Sequence, residues 1–223
     1  MSDAIAERIA KIRPQLPPSV RLIAVTKQVS VAAIRSAYGA GIRDFGENRI
    51  QEAETKQDQL QDLEDITWHL IGHLQSNKAK KALELFSWIH SVDSLKLFQR
   101  LEQLAAELSC QPEILLQVKL RSDPNKHGWT IPELMADLPV LNQGHHLRIR
   151  GLMVIPPAAQ KDEEILAIFH QGRELADKIK QQNWSNIEME QLSMGMSADY
   201  PLAVQAGATM VRLGQIIFGE RVN

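Results

Sequence analysis

The sequence predicts a single-domain (β/α)8 barrel over residues 1–223, preceded by an extra N-terminal helix. Eight short apolar segments of strand character alternate with helical patterns along the chain. Such alternation is typical of parallel βαβ units, and 223 residues is close to the usual length of a closed barrel. No repeat, low-complexity tract or linker divides the chain. A doubly wound open sheet would alternate in the same way and is the alternative fold.

The first helix is expected at Ala4–Ile12, where Ile5, Ile9 and Ile12 recur at helical spacing. Prolines between positions 14 and 18 end it before the first strand. The strands are expected as short apolar runs rich in β-branched residues, the composition of strands buried on both faces. Their predicted ranges are Leu22–Thr26, Asp44–Gly46, Thr67–Ile71, Trp88–Ser91, Ile114–Lys119, Ile149–Ile155, Ile187–Leu192 and Met210–Leu213.

Helical patterns fill the segments between these strands, so that each strand except the last is followed by a helix. Their predicted ranges are Val31–Ala40, Arg49–Leu63, Asn77–Leu85, Ser94–Leu108, Ile131–Leu138, Glu163–Gln181 and Ala198–Ala206. In the longest, Ile165, Phe169 and Ile179 belong to one apolar stripe that we expect to face the sheet. Its charged opposite side is expected to face solvent.

Composition excludes several classes of protein. The formal charge of −2 provides no basic excess for a nucleic acid backbone, so we expect no nucleic acid partner. Cys110 is the single cysteine, which rules out an internal disulfide or a cysteine-based metal site and favours a reducing compartment. The N-terminus lacks the apolar core of a signal peptide, and no run is long enough to span a bilayer. We therefore expect a cytoplasmic protein without membrane contact.

Lys27 stands at the carboxyl end of the first predicted strand. In α/β barrels and open sheets, ligands bind beyond these strand ends. A lysine held there is partly desolvated, which favours the neutral amine and allows it to form a Schiff base with an aldehyde. The alternative is a solvated lysine that merely ends a strand.

The ends of strands two, three and four carry further polar residues. Gly46 permits a sharp turn before Asn48, which could either contact a ligand or cap the following helix. His69 and His73 are four residues apart, but they straddle a strand and a loop, so we do not expect them to form a metal pair. Asp93 or Ser94 is expected to cap the helix after strand four.

The last third of the chain predicts an anion site. Leu192-Ser-Met-Gly-Met-Ser-Ala-Asp199 lies between a strand and a helix, and Gly214 follows the next strand. Loops after strands seven and eight form the usual phosphate site of this barrel, and Ser193 adds a hydroxyl group. Two ordinary loops are the alternative, since glycine is common after strands.

Arg212 lies among apolar neighbours in the last predicted strand, and a buried guanidinium requires a partner. A ligand atom or a core carboxylate would serve equally well. No G-x-G-x-x-G or P-loop pattern is present, which argues against dinucleotides and triphosphates. A strand-end amine, phosphate donors, an arginine and an amide together match the groups of pyridoxal 5′-phosphate. A sugar phosphate aldolase also uses a barrel lysine, but typically on a later strand.

Seven blocks of the sequence resemble the pyridoxal phosphate homeostasis proteins, which are related to the barrel domain of alanine racemase (fold type III). The blocks run from about residue 20 to 221 in the family's order. They include Ala24-Val-Thr-Lys27, Phe45-Gly-Glu-Asn48, Ile71-Gly-His-Leu-Gln-Ser-Asn-Lys78, His90-Ser-Val-Asp-Ser94, Arg150-Gly-Leu-Met153, Leu192-Ser-Met-Gly-Met-Ser197 and Val211-Arg-Leu-Gly214.

The resemblance implies a role for eight residues. Lys27 would carry the cofactor as an internal aldimine, and Arg212 would face the pyridine nitrogen and keep it unprotonated. Asn48 would lie near the phenolic oxygen and Met153 near the ring. The phosphate would be held by Ser193, Gly195, Gly214 and the backbone of Gln215. Arg49 and Lys119 depart from the family pattern, which has an aromatic residue and an asparagine there; Lys126 fits the pattern, but its role does not follow from sequence.

The resemblance also implies a carrier rather than a racemase. Racemases of this fold take a second base, a tyrosine, from a separate β domain, for which we expect no room before Asn223. Tyr38 and Tyr200 are the only tyrosines. The expected function is storage and delivery of pyridoxal phosphate in vitamin B6 and amino-acid homeostasis, by a monomer that transiently contacts apoenzymes. A low-activity amino-acid racemase and a cofactor-responsive regulatory protein are the alternatives.

Overall fold

A computed structural model describes residues 2–123 and 127–219. Eight parallel strands form a closed barrel in the order of the sequence. The strands are β1 (Arg21–Val25), β2 (Asp44–Glu47), β3 (Thr67–Leu70), β4 (Trp88–Val92), β5 (Glu113–Val118), β6 (Arg148–Val154), β7 (Ile187–Ser193) and β8 (Met210–Leu213). The barrel closes where β1 pairs with β8, with Ile23 opposite Arg212. This pairing confirms the predicted barrel and excludes the open sheet.

Helices surround the barrel and connect its strands. Their bounds are α1 (Ser2–Ile12), α2 (Val31–Gly39), α3 (Ile50–Asp58), α4 (Ala79–Leu85), α5 (Leu95–Leu108), α6 (Ile131–Leu141), α7 (Asp162–Lys180), α8 (Tyr200–Gln205) and α9 (Gln215–Phe218). Within the described ranges, no helix is both long and apolar enough to cross a membrane.

Three helices differ from the prediction by more than two residues at one end or were not predicted. Helix α3 ends at Asp58 rather than Leu63, because the following loop pairs Asp62 with Arg35 at 2.7 Å across the surface. Helix α6 continues past Pro139, which lies in its last turn, since Leu141 is fully buried and anchors that turn. The short helix α9, which the sequence pattern did not predict, follows β8.

The buried side chains form two groups. A large cluster fills the layer between the strands and the helices, whereas a small one of Ile23, Trp88, Leu115, Met153 and Met210 occupies the interior of the barrel. Successive residues of a strand alternate between these two environments. The interior also contains polar side chains, which the next section describes.

Candidate functional site

A cavity of about 530 Å³ opens at the carboxyl ends of the strands. Its polar lining includes Lys27, Asn48, Gln117, Arg212, Gly214 and Gln215, and Val25, Ile71 and Ile155 contribute apolar surface. The structure therefore brings five of the eight predicted residues to one cavity: Lys27, Asn48, Arg212, Gly214 and Gln215. The end of β1 and the loop after β8 face the same space, as the sequence argument requires.

Lys27 follows β1 by two residues and is half-buried. The backbone on either side of it is held closely. The Thr26 N–H donates to the Gly46 carbonyl at 2.9 Å, and the Val29 N–H donates to the Thr26 carbonyl at 2.9 Å. Gln28 has a φ of +59°, a left-handed conformation that turns the chain sharply after the lysine. The position of Lys27 is thus fixed by its neighbours in the chain.

Lys56 of α3 supports the turn at residues 26–29 through hydrogen bonds. Its Nζ atom donates to the Thr26 carbonyl at 2.6 Å, to Glu47 Oε1 at 2.8 Å and to Glu52 Oε1 at 2.6 Å. Thr26 Oγ1 also donates to Glu47 Oε1 at 2.6 Å, and the Gln28 N–H donates to Glu52. Burial raises the pKa of Glu47, against the opposing effect of Lys56 and Thr26. The sequence analysis missed this network, whose visible signal was the spacing of Glu52 and Lys56.

Asn48 is half-buried and lines the cavity, and it does not cap a helix. The N-cap of α3 is Arg49, so the capping interpretation of Asn48 is wrong. Gly72 packs directly over the backbone of Asn48: a Cβ atom at position 72 would lie 2.3 Å from the Asn48 carbonyl oxygen. The loop after β3 therefore approaches Asn48 as closely as it does because residue 72 is glycine.

Arg212 ends a hydrogen-bonded chain that crosses the barrel interior. Its Nη1 atom donates to Ser193 Oγ at 2.6 Å, and Ser193 contacts His90 Nδ1 at 2.9 Å. His90 Nε2 lies 3.0 Å from His69 Nδ1, and His69 Nε2 lies 2.9 Å from Asp44 Oδ1. Arg212, Ser193 and both histidines are buried.

The bond directions follow from the Asp44 carboxylate, which only accepts, and from the neutral imidazoles. His69 therefore donates from Nε2 and accepts at Nδ1 from the Nε2–H of His90, which leaves His90 Nδ1 as an acceptor. Ser193 accepts from Arg212 and donates to His90 Nδ1. The N–H groups of the two imidazoles then both point toward Asp44, which accepts the last bond. Burial lowers the pKa of His90 and of His69, so both remain neutral. Burial also lowers the pKa of Arg212 to about 10, which leaves it charged at neutral pH.

The loops after β7 and β8 meet through Ser197. Its Oγ atom accepts from the Gly214 N–H at 3.3 Å and the Ile216 N–H at 3.4 Å. The carboxylate of Asp199 accepts from the Met196 N–H at 2.6 Å and closes the loop after β7. Burial raises the pKa of Asp199. Ser197 thus joins the two loops into one rim of the cavity.

Three predicted residues lie behind this lining rather than in it. Ser193 is occupied by Arg212 and His90, and Met153 belongs to the apolar cluster inside the barrel. Gly195 has a φ of +88°, and a Cβ atom there would lie 2.6 Å from Ala203. These residues shape the floor and the rim of the cavity. Lys119 borders a separate pocket, and Lys126 lies outside the described residues.

The sequence analysis did not assign several other residues to the cavity. Gln117 comes from β5, and the loops bring in His73, His127, Met196, Ser197 and Ala198. Ser197 stood in a segment already singled out for its small residues, so a signal was present. Gln117 is a polar residue at the inward end of an apolar strand, which could also have been noticed. The contribution of His127 depends on the loop after β5.

Comparison with protein families places the whole chain in a known group. Residues 1–222 match the family model described as alanine racemase, N-terminal domain. A pyridoxal phosphate homeostasis protein of Synechocystis sp. is 52% identical over 213 residues, which cover 96% of this chain and 97% of the relative. Another of the same name from Pseudomonas aeruginosa is 42% identical over 230 residues, covering 98% and 96% of the two chains.

Solved structures show the same similarity in three dimensions. PipY of Synechococcus elongatus with PLP bound has a TM-score of 0.93 and 54% identity over 96% of this chain and 100% of its own. PipY without PLP has a TM-score of 0.94. An alanine racemase of Clostridium difficile shares the fold, with a TM-score of 0.79 at 15% identity; the match covers 99% of this chain and 58% of the racemase. The chain therefore belongs to the pyridoxal phosphate homeostasis protein family, which has the fold of the alanine racemase N-terminal domain.

Proposed function

We propose that this protein binds pyridoxal 5′-phosphate covalently through Lys27 and serves to hold and deliver the cofactor rather than to turn over a substrate. The observation that carries the proposal is the shared cavity of Lys27, Arg212, Gly214 and Gln215. The binding of PLP by PipY, a relative with 54% identity, supports the same assignment. When bound, the cofactor supplies an aldehyde that condenses with a lysine amine and a ring that withdraws electrons.

The residues of the cavity fit each group of the cofactor. Arg212 offers the ring nitrogen a donor that is charged at neutral pH, held by Ser193 and the chain of buried histidines behind it. Asn48 offers an amide to the phenolic oxygen. The backbone of Gln215 offers an N–H group to the phosphate, and Gly214 forms the rim beside it, where its own N–H donates to Ser197. Met153 packs in the barrel interior below the cavity and would lie near the ring, and Gly195 shapes the loop after β7, which would lie near the phosphate.

The proposal that the protein does not turn over a substrate is based on the positions of Tyr38 and Tyr200. The Tyr200 hydroxyl donates to Gln15 at 2.5 Å, and the Tyr38 hydroxyl donates to Asp65. Neither tyrosine lines the described cavity. A second base of the kind that a racemase uses is therefore not supplied by a tyrosine of the described chain.

The covalent linkage is tested by the absorbance spectrum of the protein mixed with PLP, before and after reduction with borohydride, which fixes a C=N bond. Mass mapping should place the reduced adduct on Lys27, and the Lys27→Ala variant should lose the imine absorbance. Lys119→Ala is the matched control, because Lys119 also follows a strand but borders a different pocket. An adduct elsewhere, or unchanged absorbance in Lys27→Ala, would reject the assignment.

A low-activity racemase is the second candidate, favoured by the fold that the chain shares with alanine racemase. The two functions are separated by incubating the PLP-loaded protein with alanine in D2O. A carrier should give no deuterium exchange at the α-carbon above that of free PLP. Rapid exchange that depends on Lys27 would favour the enzyme.

The carrier role implies transient partners. We propose that the protein acts as a cytoplasmic monomer that transfers PLP to apoenzymes, in keeping with its single cysteine and its lack of basic excess. Mixing the loaded protein with a PLP-free aminotransferase should restore that enzyme's activity. The rate should exceed the one obtained when the enzyme receives only the free PLP that the loaded protein releases by itself. Equal rates would contradict direct transfer.

A further inference from the structure

We propose that His73, Asp93 and His127 form a binding site for a divalent transition-metal ion such as Zn²⁺ at the mouth of the cavity. Within the described chain, these three residues form the cluster whose potential ligand atoms all lie within 4.8 Å of one another. They come from three successive loops, after β3, β4 and β5. The site does not depend on the cofactor proposed above, since none of the three is assigned to it.

The distances suit a shared ion. His73 Nδ1 lies 3.1 Å from Asp93 Oδ2, and His127 Nδ1 lies 3.7 Å from the same oxygen. Two ligand atoms that bind one Zn²⁺ at about 2.0–2.1 Å lie roughly 3–3.5 Å apart. The two imidazole rings are stacked with centroids 3.7 Å apart and an angle of 12° between their planes. An imidazole nitrogen binds a metal in the plane of its ring, so two nearly parallel rings share one ion only after one of them turns about its χ2 bond. The side chains of His73 and His127 are exposed, which leaves room for that turn.

The ligand set selects the class of ion. Imidazole nitrogen favours Zn²⁺, Co²⁺ and Ni²⁺ over Mg²⁺ and Ca²⁺, which prefer oxygen ligands. Asp93 supplies a negative charge and is held firmly, with only 9% of its side chain exposed. Two histidines and one carboxylate leave coordination positions open for water or for a ligand in the cavity, which both histidines line.

The surrounding structure orients each ligand, as metal sites require. Ser94 Oγ donates to the other oxygen of Asp93 at 3.1 Å and leaves Oδ2 for the ion. Gln117 Nε2 donates to the His127 carbonyl at 3.0 Å and holds that backbone to the end of β5. Gly72, the residue before His73, packs against the backbone of Asn48. Asp93 and His127 are thus each held by a hydrogen bond from a neighbouring side chain.

The test is calorimetric titration of the tag-free, full-length protein with Zn²⁺ alone, in a buffer free of phosphate. One equivalent should bind per chain, and Mg²⁺ should not compete. His73→Asn and His127→Asn should each weaken binding at least about tenfold, and Ser94→Ala by about 10- to 100-fold. Co²⁺ should give visible absorption bands in the wild type that both histidine variants lose.

Two controls separate the site from incidental effects. His146 also lies 2.9 Å from a carboxylate, that of Glu102, but belongs to no cluster of three possible ligands among the described residues, so His146→Asn should leave binding unchanged. Ser30 caps α2 as Ser94 caps α5, so Ser30→Ala reports the cost of a lost cap alone. Thermal unfolding of each variant checks the fold. The proposal is overturned if the wild type binds no Zn²⁺, or if His73→Asn and His127→Asn bind as the wild type does.

Discussion

Arg212 shows how a charge is kept inside an apolar barrel. Its guanidinium donates to Ser193 and to the Val154 carbonyl. The hydrogen-bonded chain continues through two neutral histidines and ends on Asp44, at the amino end of β2. Each buried polar atom in this chain has a partner, which removes most of the cost of desolvation. This hydrogen-bonded chain can hold the Arg212 cation in a fixed position facing a ligand in the cavity at the carboxyl ends of the strands.

Because two histidines are buried, we expect the free energy of unfolding to decrease as the pH is lowered. His69 and His90 have pKa values below 6.5 in the folded state, and near 6.5 when unfolded. Below pH 6.5 the unfolded chain binds protons that the folded chain does not, so the free energy of unfolding decreases by up to about 1.4 kcal/mol per pH unit for each histidine. Urea unfolding at pH 7.0, 6.25 and 5.5 measures this slope.

The control for that slope is His90→Asn, whose amide still offers an acceptor to Ser193. Between pH 7.0 and 5.5, the free energy of unfolding of this variant should fall less steeply with decreasing pH. The difference in slope should be up to about 1.4 kcal/mol per pH unit, the contribution of one histidine. A wild type whose stability does not change over this range would contradict the assignment of neutral buried imidazoles.

The buried ion pair of Lys56 and Glu47 should make a measurable contribution to stability. Removing the lysine in Lys56→Met leaves the Glu47 carboxylate buried without its cation, which should lower the free energy of unfolding by about 3–5 kcal/mol. Lys81→Met is the matched control, because its pair with Glu54 is exposed to solvent and should contribute little to stability. Equal losses in urea unfolding would show that the brace beneath Lys27 is unimportant.

At the scale of elements, loops that follow the strands decide the shape of the site. The segment after β3 lies against Asn48, the segment after β7 is joined to the one after β8 by Ser197, and α3 supports the turn after β1. The strands bring these loops to one end, and close contacts between loops then fix the positions of the side chains.

Gly72→Ala tests the contact between two of these loops. The added Cβ would lie 2.3 Å from the Asn48 carbonyl oxygen, so one backbone must move. We expect a loss of about 1–3 kcal/mol in the free energy of unfolding and weaker binding of PLP. Gly39→Ala, at the end of α2 with nothing within 4 Å of the new Cβ, should be neutral or slightly stabilising. Wild-type affinity in Gly72→Ala would contradict a role for this contact.

At the scale of the whole molecule, closure of the barrel joins residues that are distant in sequence. The pairing of β1 with β8 brings Lys27 and Gly214 to one cavity. A ligand that bridges them would stabilise the closed barrel, since any ligand that binds only the folded state raises its stability.

PLP should therefore raise the thermal midpoint of the wild type. At a free concentration of 100 times Kd, the expected gain is about 2.7 kcal/mol. Lys27→Ala should lose most of the shift, while Lys119→Ala should keep it. A midpoint that rises equally in Lys27→Ala would mean that PLP binds elsewhere.

The sequence by itself determined the order of eight strands, the lysine at the end of the first, and the glycine-containing ends of the last two. These signals are local: strand composition, turn residues and the position of a charge relative to an apolar run. The ends of α3 and α6 were less well predicted, because Asp62 and Leu141 are placed by contacts with other elements.

Only the tertiary structure decided which polar residues meet. The partners of Arg212, the brace formed by Lys56, and the approach of His73 to His127 all join residues from different βα units. No periodicity records such pairings, because they depend on the closure and register of the barrel and on the path of each loop. Local patterns fix where the chain turns and what it buries, and the distances between the buried groups are set once the sheet has closed.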